Sequence, residues 1–289
     1  MSNAPDRGVL HGTEFASDPV STQAVNEIAV GDRTLFAVSD GFLVLSERFL
    51  GTAEHPTAAH EALSEVYGKP RLPLGCFFLP GEQNVLIDTG VGPVDFAGRG
   101  TLIGGNLLPA LARMGIRPED IDILALSHLH GDHSGTIGWL DSGEPVFPNA
   151  RTFIGAGDWN YFLEREDAPV PVAGHTAAAL RRLEGRGQVT VMDADADIAA
   201  GVRRLSAPGH TPGHSIYMIH DHGERVLVLG DAMYCPQQLS ELEWGAVTDV
   251  DPALARKTRE RYERDLELHG GGAVGCHFPE LKVARALTR

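Results

Sequence analysis

The sequence predicts a layered α/β protein on three observations. Short apolar strands alternate with helical segments along its 289 residues. One pair of strands is joined by a hairpin signal, which argues against an all-parallel doubly wound sheet. Two apolar strands run straight into side chains of metal-ligand type, at Ser127-His128 and at Gly230-Asp231.

The elements are expected in the following order. Residues 1–25 are polar and irregular and read as a loosely held arm, with a single domain over 26–289. Thr34–Asp40 reads as a strand, and the mixed stretch 45–70 holds a helix around His60–Val66. Cys76–Leu79 and Asn84–Asp88 read as buried strands joined by the Pro80-Gly81-Glu82 turn, with a further turn at Thr89–Gly92. Leu107, Leu108, Leu111 and Met114 recur at helical spacing and predict a helix over 105–115. A turn at Pro118–Asp120 precedes the apolar strand Ile121–Leu126, and Val226–Leu229 is a second strand of that kind. Residues 252–268 are charged, with Leu254, Tyr262 and Leu266 along one side, as expected of a surface helix.

Composition excludes several function classes. At 43% apolar residues the chain can build a core, and it has no run of 18 or more apolar residues to span a membrane. No apolar stretch follows the N-terminus, so a secretory signal is not expected and the cytoplasm is the expected compartment. The three cysteines, Cys76, Cys235 and Cys276, match neither a zinc spacing nor a disulfide framework. A formal net charge of −15 repels phosphate backbones and argues against a nucleic-acid partner.

The segment Ser127-His128-Leu129-His130-Gly131-Asp132-His133-Ser134-Gly135 carries the chemistry. It follows an apolar strand, and residues two apart in an extended stretch point the same way, so His128 and His130 can grip one cation together. The Gly131 turn then swings Asp132 and His133 toward a second position. Imidazole nitrogen with carboxylate oxygen suits zinc, iron or manganese.

His128-x-His130-x-Asp132-His133 resembles the signature of the metallo-β-lactamase superfamily. Four further segments resemble that family's motifs in the right order: Asn84–Asp88 with Thr89-Gly90, Pro208-Gly209-His210, Leu229-Gly230-Asp231 and Gly275-Cys276-His277. The likeness spans residues 34–280. It implies the family's four-layer αββα sandwich. It also implies two divalent metal ions, one on His128, His130 and His210, the other on Asp132, His133 and His277, with Asp231 bridging them. Zinc is the first choice, with iron and manganese suited by the same ligands. A hydroxide between the cations would be the nucleophile, because such metals lower the pKa of bound water from about 15.7 toward about 7. Asp88 then either supports a ligand imidazole from behind or caps its own turn. His214 falls at a position that is usually structural in the family, and His220, His222 and His269 lie in polar sequence. Cys235 and Cys276 flank the site without an assigned ligand role.

Branches of the family can be separated on single residues. Zinc β-lactamases usually place a cysteine where this chain has Asp231, and diiron flavoproteins a glutamate where His130 stands. Glyoxalase II carries a basic helical C-terminal domain, and the tRNA-processing nucleases prefer a basic face. The stretches 86–122, Val146–Ala150 with Asp158-Trp159, and His277-Phe278-Pro279 resemble the acyl-homoserine lactone lactonase and methyl parathion hydrolase branch. Tyr234, three residues after Asp231, stands where the lactonases carry a tyrosine, whose hydroxyl can stabilise a developing oxyanion. The 45–75 insert has no clear counterpart in that branch, and only a short tail follows His277, too short for the closing strand of relatives.

The expected function is hydrolysis of a lactone or ester, with catalytic roles for Asp132, through the second cation, and for Tyr234. The alternatives are a phosphotriesterase-like or thioester hydrolase of the same fold, or a non-catalytic metal-binding relative. A small-molecule substrate is expected, with no nucleic acid and no membrane, and a homodimer is the candidate assembly.

Overall fold

A computed structural model describes residues 25–68, 71–97, 101–165 and 172–285. The expected arm at 1–25 lies outside the described residues except for Val25, which opens the first strand. Among the described residues, nine strands form one sheet and five form another. The larger sheet runs Val189–Met192, Arg151–Gly155, Ile123–Ala125, Val85–Ile87, Arg71–Leu79, Arg33–Val44, Thr101–Ile103 and Asp95–Ala97, with Val25–Val30 also paired to Arg33–Val44. The smaller sheet runs Ala196–Ala199, Val202–Ser206, Ser215–Asp221, Glu224–Val228 and Gly272–Val274. Parallel pairs stand beside antiparallel ones in both sheets, as the hairpin signal requires: Arg71–Leu79 pairs antiparallel with Val85–Ile87, which pairs parallel with Ile123–Ala125.

Period-two alternation builds the layers. Leu35, Phe77, Val85, Ile87, Ile123 and Ala125 face the other sheet, where they meet Val202, Tyr217, Ile219, Val226, Val228 and Val274. Their neighbours Phe78, Leu86 and Leu124 point outward, onto Leu107 and Leu111 of the helix Leu107–Arg113 and Leu180 and Leu183 of the helix Gly174–Gly185. On the far side Ile216, Leu227 and Leu229 meet Tyr262 and Leu266 of the helix Pro252–His269. The order is helix, sheet, sheet, helix, which is the expected four-layer αββα sandwich. Each fully buried aliphatic or aromatic side chain contributes about 1.5–3 kcal/mol.

Most element expectations differ from the structure only at their ends. The helix expected around His60–Val66 runs Ala58–Tyr67, and the strand expected at Thr34–Asp40 runs Arg33–Val44. The helix Gly174–Gly185 and the strands Val25–Val30, Ala196–Ala199 and Val202–Ser206 were not anticipated. Among the described residues, the tail after His277 supplies one bridge, Ala284 to Ala273. The 45–75 insert contributes the short strand Leu50–Gly51, which pairs antiparallel with Gly245–Ala246. No helix among the described residues is long and apolar enough to cross a membrane.

Candidate metal centre

Five chain segments end at one edge of the sandwich and deliver the candidate ligands there. Val85–Ile87 ends before Asp88, Ile123–Ala125 before His128, Val202–Ser206 before His210, Glu224–Val228 before Asp231 and Gly272–Val274 before His277. Sharp backbone follows two of these strands. Asp88 adopts a left-handed φ of 58°, a conformation that aspartate tolerates better than most side chains. Gly230 has φ +53°, and a Cβ there would lie 2.7 Å from His214 Nε2 and 2.8 Å from Ser127 Cβ.

All seven predicted ligands come together, in two groups that share Asp231. In the first, His130 Nδ1 lies 3.0 Å from His128 Nε2 and 2.9 Å from His210 Nε2. Asp231 Oδ2 lies 3.4 Å from His210 Nε2 and 3.8 Å from His128 Nε2. In the second, Asp132 Oδ2 lies 3.7 Å from His133 Nε2 and 3.5 Å from His277 Nε2. Asp231 Oδ1 lies 3.1 and 3.2 Å from the same two nitrogens. Bonds of about 2.0–2.2 Å at tetrahedral angles put neighbouring ligand atoms about 3.3–3.5 Å apart, so these separations suit a zinc-sized cation in each group.

Chemistry of the donor set agrees with that geometry. His133 Nε2, His277 Nε2 and Asp231 Oδ1 are buried, face one another and have no hydrogen-bond partner. Buried polar atoms ordinarily have one, so three that converge without one fit a cation between them. The outward nitrogens, by contrast, are tied down. His133 Nδ1 meets Asp88 Oδ2 at 2.9 Å, His277 Nδ1 donates to the Pro73 carbonyl at 2.8 Å, and His210 Nδ1 meets Asp249 Oδ1 at 3.0 Å. His128 Nδ1 lies 3.0 Å from Ser127 Oγ, whose hydroxyl donates to Asp88 Oδ2 at 2.7 Å. Asp88 therefore supports His133 directly and His128 through Ser127. It also accepts the Ser127 backbone N–H at 2.7 Å, so the contacts of its carboxylate go to the histidine-bearing segment and favour the supporting reading over a cap on its own turn.

The two groups differ in charge. Burial, reinforced by the neighbouring His133, pushes His128 well below the usual imidazole range, and burial with His210 lowers His130 to about 4. Burial opposes charge on His133 and His277 too, but Asp231 and Asp132 outweigh it and raise both. Burial would likewise raise the Asp231 carboxyl, yet His133 and His277 hold it well below the carboxylate range. Asp231 and Asp132 thus favour the imidazolium form in the second group, so cation uptake there would compete with protons.

Further histidines and cysteines pack behind the centre or lie at the surface. His214 is buried, and its Nε2 accepts the Asp231 backbone N–H at 3.0 Å. His220, His222 and His269 are exposed. Cys235 is buried away from the seven, its thiol pushed up to about 12 by burial, while the Cys276 thiol donates to Asp88 Oδ2 at 3.3 Å. Tyr234 stacks on His277, with ring centroids 5.0 Å apart, and stands edge-on to His210 at 6.0 Å. Its hydroxyl lies 3.2 Å from Thr248 Oγ1.

Sequence reasoning gave no role to Asp158 or Asp249. Asp158 is buried and accepts from the Leu129 N–H at 3.1 Å and the Gly213 N–H at 2.6 Å, tying the His128–His130 segment to the His210 loop. Burial raises its carboxyl to about 6. The Asp158-Trp159 pair stood out as a motif, whereas nothing near Asp249 marks it.

The sequence matches the Metallo-beta-lactamase superfamily over residues 76–277. An N-acyl homoserine lactonase of Bacillus thuringiensis is 28% identical over 206 residues, which cover 66% of this chain and 75% of that protein. The hydrolase AbOPH, of the beta lactamase superfamily, superposes with a TM-score of 0.78 at 23% identity, covering 90% of this chain and 92% of its own. AidC, a dizinc quorum-quenching lactonase in complex with a product, N-hexanoyl-L-homoserine, gives 0.76 at 21% identity, over 91% and 94% of the two chains. The matched region takes in six of the seven converging side chains and ends on the seventh, His277; the chain belongs to the metallo-beta-lactamase superfamily and is a metal-dependent hydrolase.

Proposed function

We propose that residues 26–289 form one binuclear hydrolase domain that opens a lactone or ester at its carbonyl, with N-acyl homoserine lactones as the first substrate class to test. One observation carries the reading: the two oxygens of Asp231 divide between two groups of inward-facing ligand atoms. The lactonase relatives point to the substrate class. His128, His130 and His210 would hold one divalent cation, Asp132, His133 and His277 the other, with Asp231 between them. Zinc is the first choice, from the imidazole-rich ligand set. A cation pair held there would supply acidified water and Lewis-acid polarisation of the carbonyl oxygen.

The chain's own residues supply the rest. Asp88, Ser127 and the Pro73 carbonyl fix the tautomers of three ligand imidazoles, so that the inward nitrogen presents its lone pair. Asp158 keeps the two histidine-bearing segments in register. Burial, then the charge of Asp231, raises the Tyr234 phenol well above its ordinary range. It therefore stays protonated at neutral pH and can donate to the oxyanion that develops as the carbonyl is attacked.

Elemental analysis of protein purified without chelator tests the centre, with two transition-metal ions per chain expected. Fewer than one per chain, with none taken up on reconstitution, overturns it. A panel of lactones, aryl esters, thioesters and phosphotriesters tests the substrate class, with lactone or ester opening expected to be fastest. A preference for phosphotriesters or thioesters would keep the metal chemistry and move the substrate. Tyr234→Phe is expected to lower turnover on the best substrate by about 10- to 10³-fold, the larger figure applying to a water-excluded site. Its metal content should match the parent, because a neutral phenol is a poor ligand beside carboxylate and imidazole. Unchanged turnover would leave Tyr234 a packing residue.

A further inference from the structure

We propose that residues 245–251 form a positioning loop for the centre, in which Asp249 aims His210 and Thr248 holds the Tyr234 hydroxyl. This inference rests on the metal-centre reading above and adds residues to it.

The two oxygens of Asp249 are both committed. Oδ1 accepts from His210 Nδ1 at 3.0 Å, between side chains that are each 1% exposed. Oδ2 accepts the Ala246 N–H at 3.2 Å and faces Arg259 Nη1 at 3.5 Å. Arg259 is itself buried on the helix Pro252–His269, where its Nε donates to the Leu242 carbonyl at 3.0 Å. The aspartate is thus gripped from behind and presents one oxygen to His210. With the proton fixed on Nδ1, the lone pair of Nε2 points at Asp231 Oδ2 and His130 Nδ1. A carboxylate behind a ligand imidazole fixes its tautomer and raises its basicity, and removing such a partner costs about 10–100-fold in metal affinity.

Thr248, the preceding residue, does the corresponding work for the phenol. Its Oγ1 lies 3.2 Å from the Tyr234 hydroxyl, and the Tyr234 ring is held between His277 and the edge of Phe49, at 5.0 and 5.2 Å between centroids. Adjacent residues of one loop therefore set a histidine of the first group and the candidate oxyanion donor.

That loop is anchored on both sides. Toward the centre, Val250 N–H donates to the His210 carbonyl at 3.0 Å and Asp251 N–H to the Gly209 carbonyl at 2.9 Å. Away from it, Val247 N–H donates to the Phe49 carbonyl at 3.0 Å, and Gly245–Ala246 pairs with Leu50–Gly51. Leu45, Leu50, Ala59 and Leu63 of the insert share a small apolar cluster with Tyr234, Trp244 and Ala246. The insert therefore braces this loop.

The test uses the zinc- and cobalt(II)-loaded full chain. Chelator competition on the unaltered protein comes first; a chain that takes up no cation ends both the metal-centre reading and this one. In Asp249→Asn, which keeps the shape and removes the charge, one of the two cations should bind about 10–100-fold more weakly while the other keeps its affinity. The cobalt absorption bands of that one position should shift. Asp249→Ala combined with Arg259→Met, which removes the carboxylate together with the buried cation it pairs, serves in its place if the amide variant does not fold. Thr248→Val should leave both affinities unchanged and lower kcat about fivefold at constant KM, with recovery in Thr248→Ser. Two cations held as tightly in the Asp249 variants as in the parent, with an unshifted cobalt spectrum, would overturn the role of Asp249. Unchanged kcat in Thr248→Val would overturn that of Thr248.

Discussion

Asp132→Ala is expected to lose one cation of two and about 10³-fold or more in turnover while the protein stays folded. Asp132 Oδ2 lies 3.5 and 3.7 Å from the inward nitrogens of His277 and His133. It is the one carboxylate of the second set that is not shared with the first. Without it, that group keeps two imidazoles and the shared oxygen of Asp231, with no second carboxylate to replace the lost charge. The first group, His128, His130 and His210, is untouched. One cation acting as a Lewis acid is worth several kcal/mol to the transition state, and about 4 kcal/mol is a factor of about 10³. The side chain is 23% exposed, at the start of the short helix Gly131–Ser134, so its loss leaves no sealed cavity. Metal analysis, circular dichroism and kinetics on one sample give the answer. Near-parent turnover with a single cation bound would mean that one metal suffices.

The site was legible where the ligands are local or sit at strand ends. His128 to Asp132 fall within five residues behind an apolar strand, and a strand's apolar run followed by a sudden polar residue marks His128 and Asp231 alike. The supporting residues were not legible. Asp249 lies 39 residues from His210 and sits in Val247-Thr248-Asp249-Val250-Asp251, which reads as the lead-in to a helix. Asp251 does cap that helix, accepting the Leu254 N–H at 2.9 Å. Local sequence cannot tell the capping aspartate from the one two residues earlier that turns inward.

Missed fold elements have the same kind of cause. The helix Gly174–Gly185 buries Thr176, Ala179, Leu180 and Leu183, a stripe of small and polar residues as much as large apolar ones, so its periodicity is faint. The π-helix Trp159–Glu164 follows the recognised Asp158-Trp159 pair, but its hydrogen-bond register leaves no trace in residue types. The role of the 45–75 insert depends on a pairing between residues 50 and 246, which only the folded chain brings together. The four layers came from the family resemblance alone, because strands such as Cys76–Leu79 are apolar throughout and buried on both faces, so their residue types do not show which side chain faces which layer.

Asp231→Asn is expected to have the larger effect on both cations, with fewer than one retained per chain and turnover falling beyond the Asp132→Ala level. Asp231 is 3% exposed, with Oδ2 toward the first group and Oδ1 toward the second. An amide offers one acceptor oxygen and one NH₂, so in either orientation one group faces a donor where it needs a ligand. The charge shared by both positions goes as well. The fold should survive this change. His133 and His277 are raised because, against their burial, Asp231 and Asp132 favour the imidazolium form. Weakening that field lets them become neutral, so no unpaired charge is stranded in the core. Pairing the two substitutions sharpens the test. If Asp231 bridges, the double variant should be little worse than Asp231→Asn alone, because groups that act as one unit fail together. Multiplied losses would mean that the two carboxylates serve separate cations, and Asp231→Asn with both cations bound and turnover within tenfold of the parent would exclude bridging.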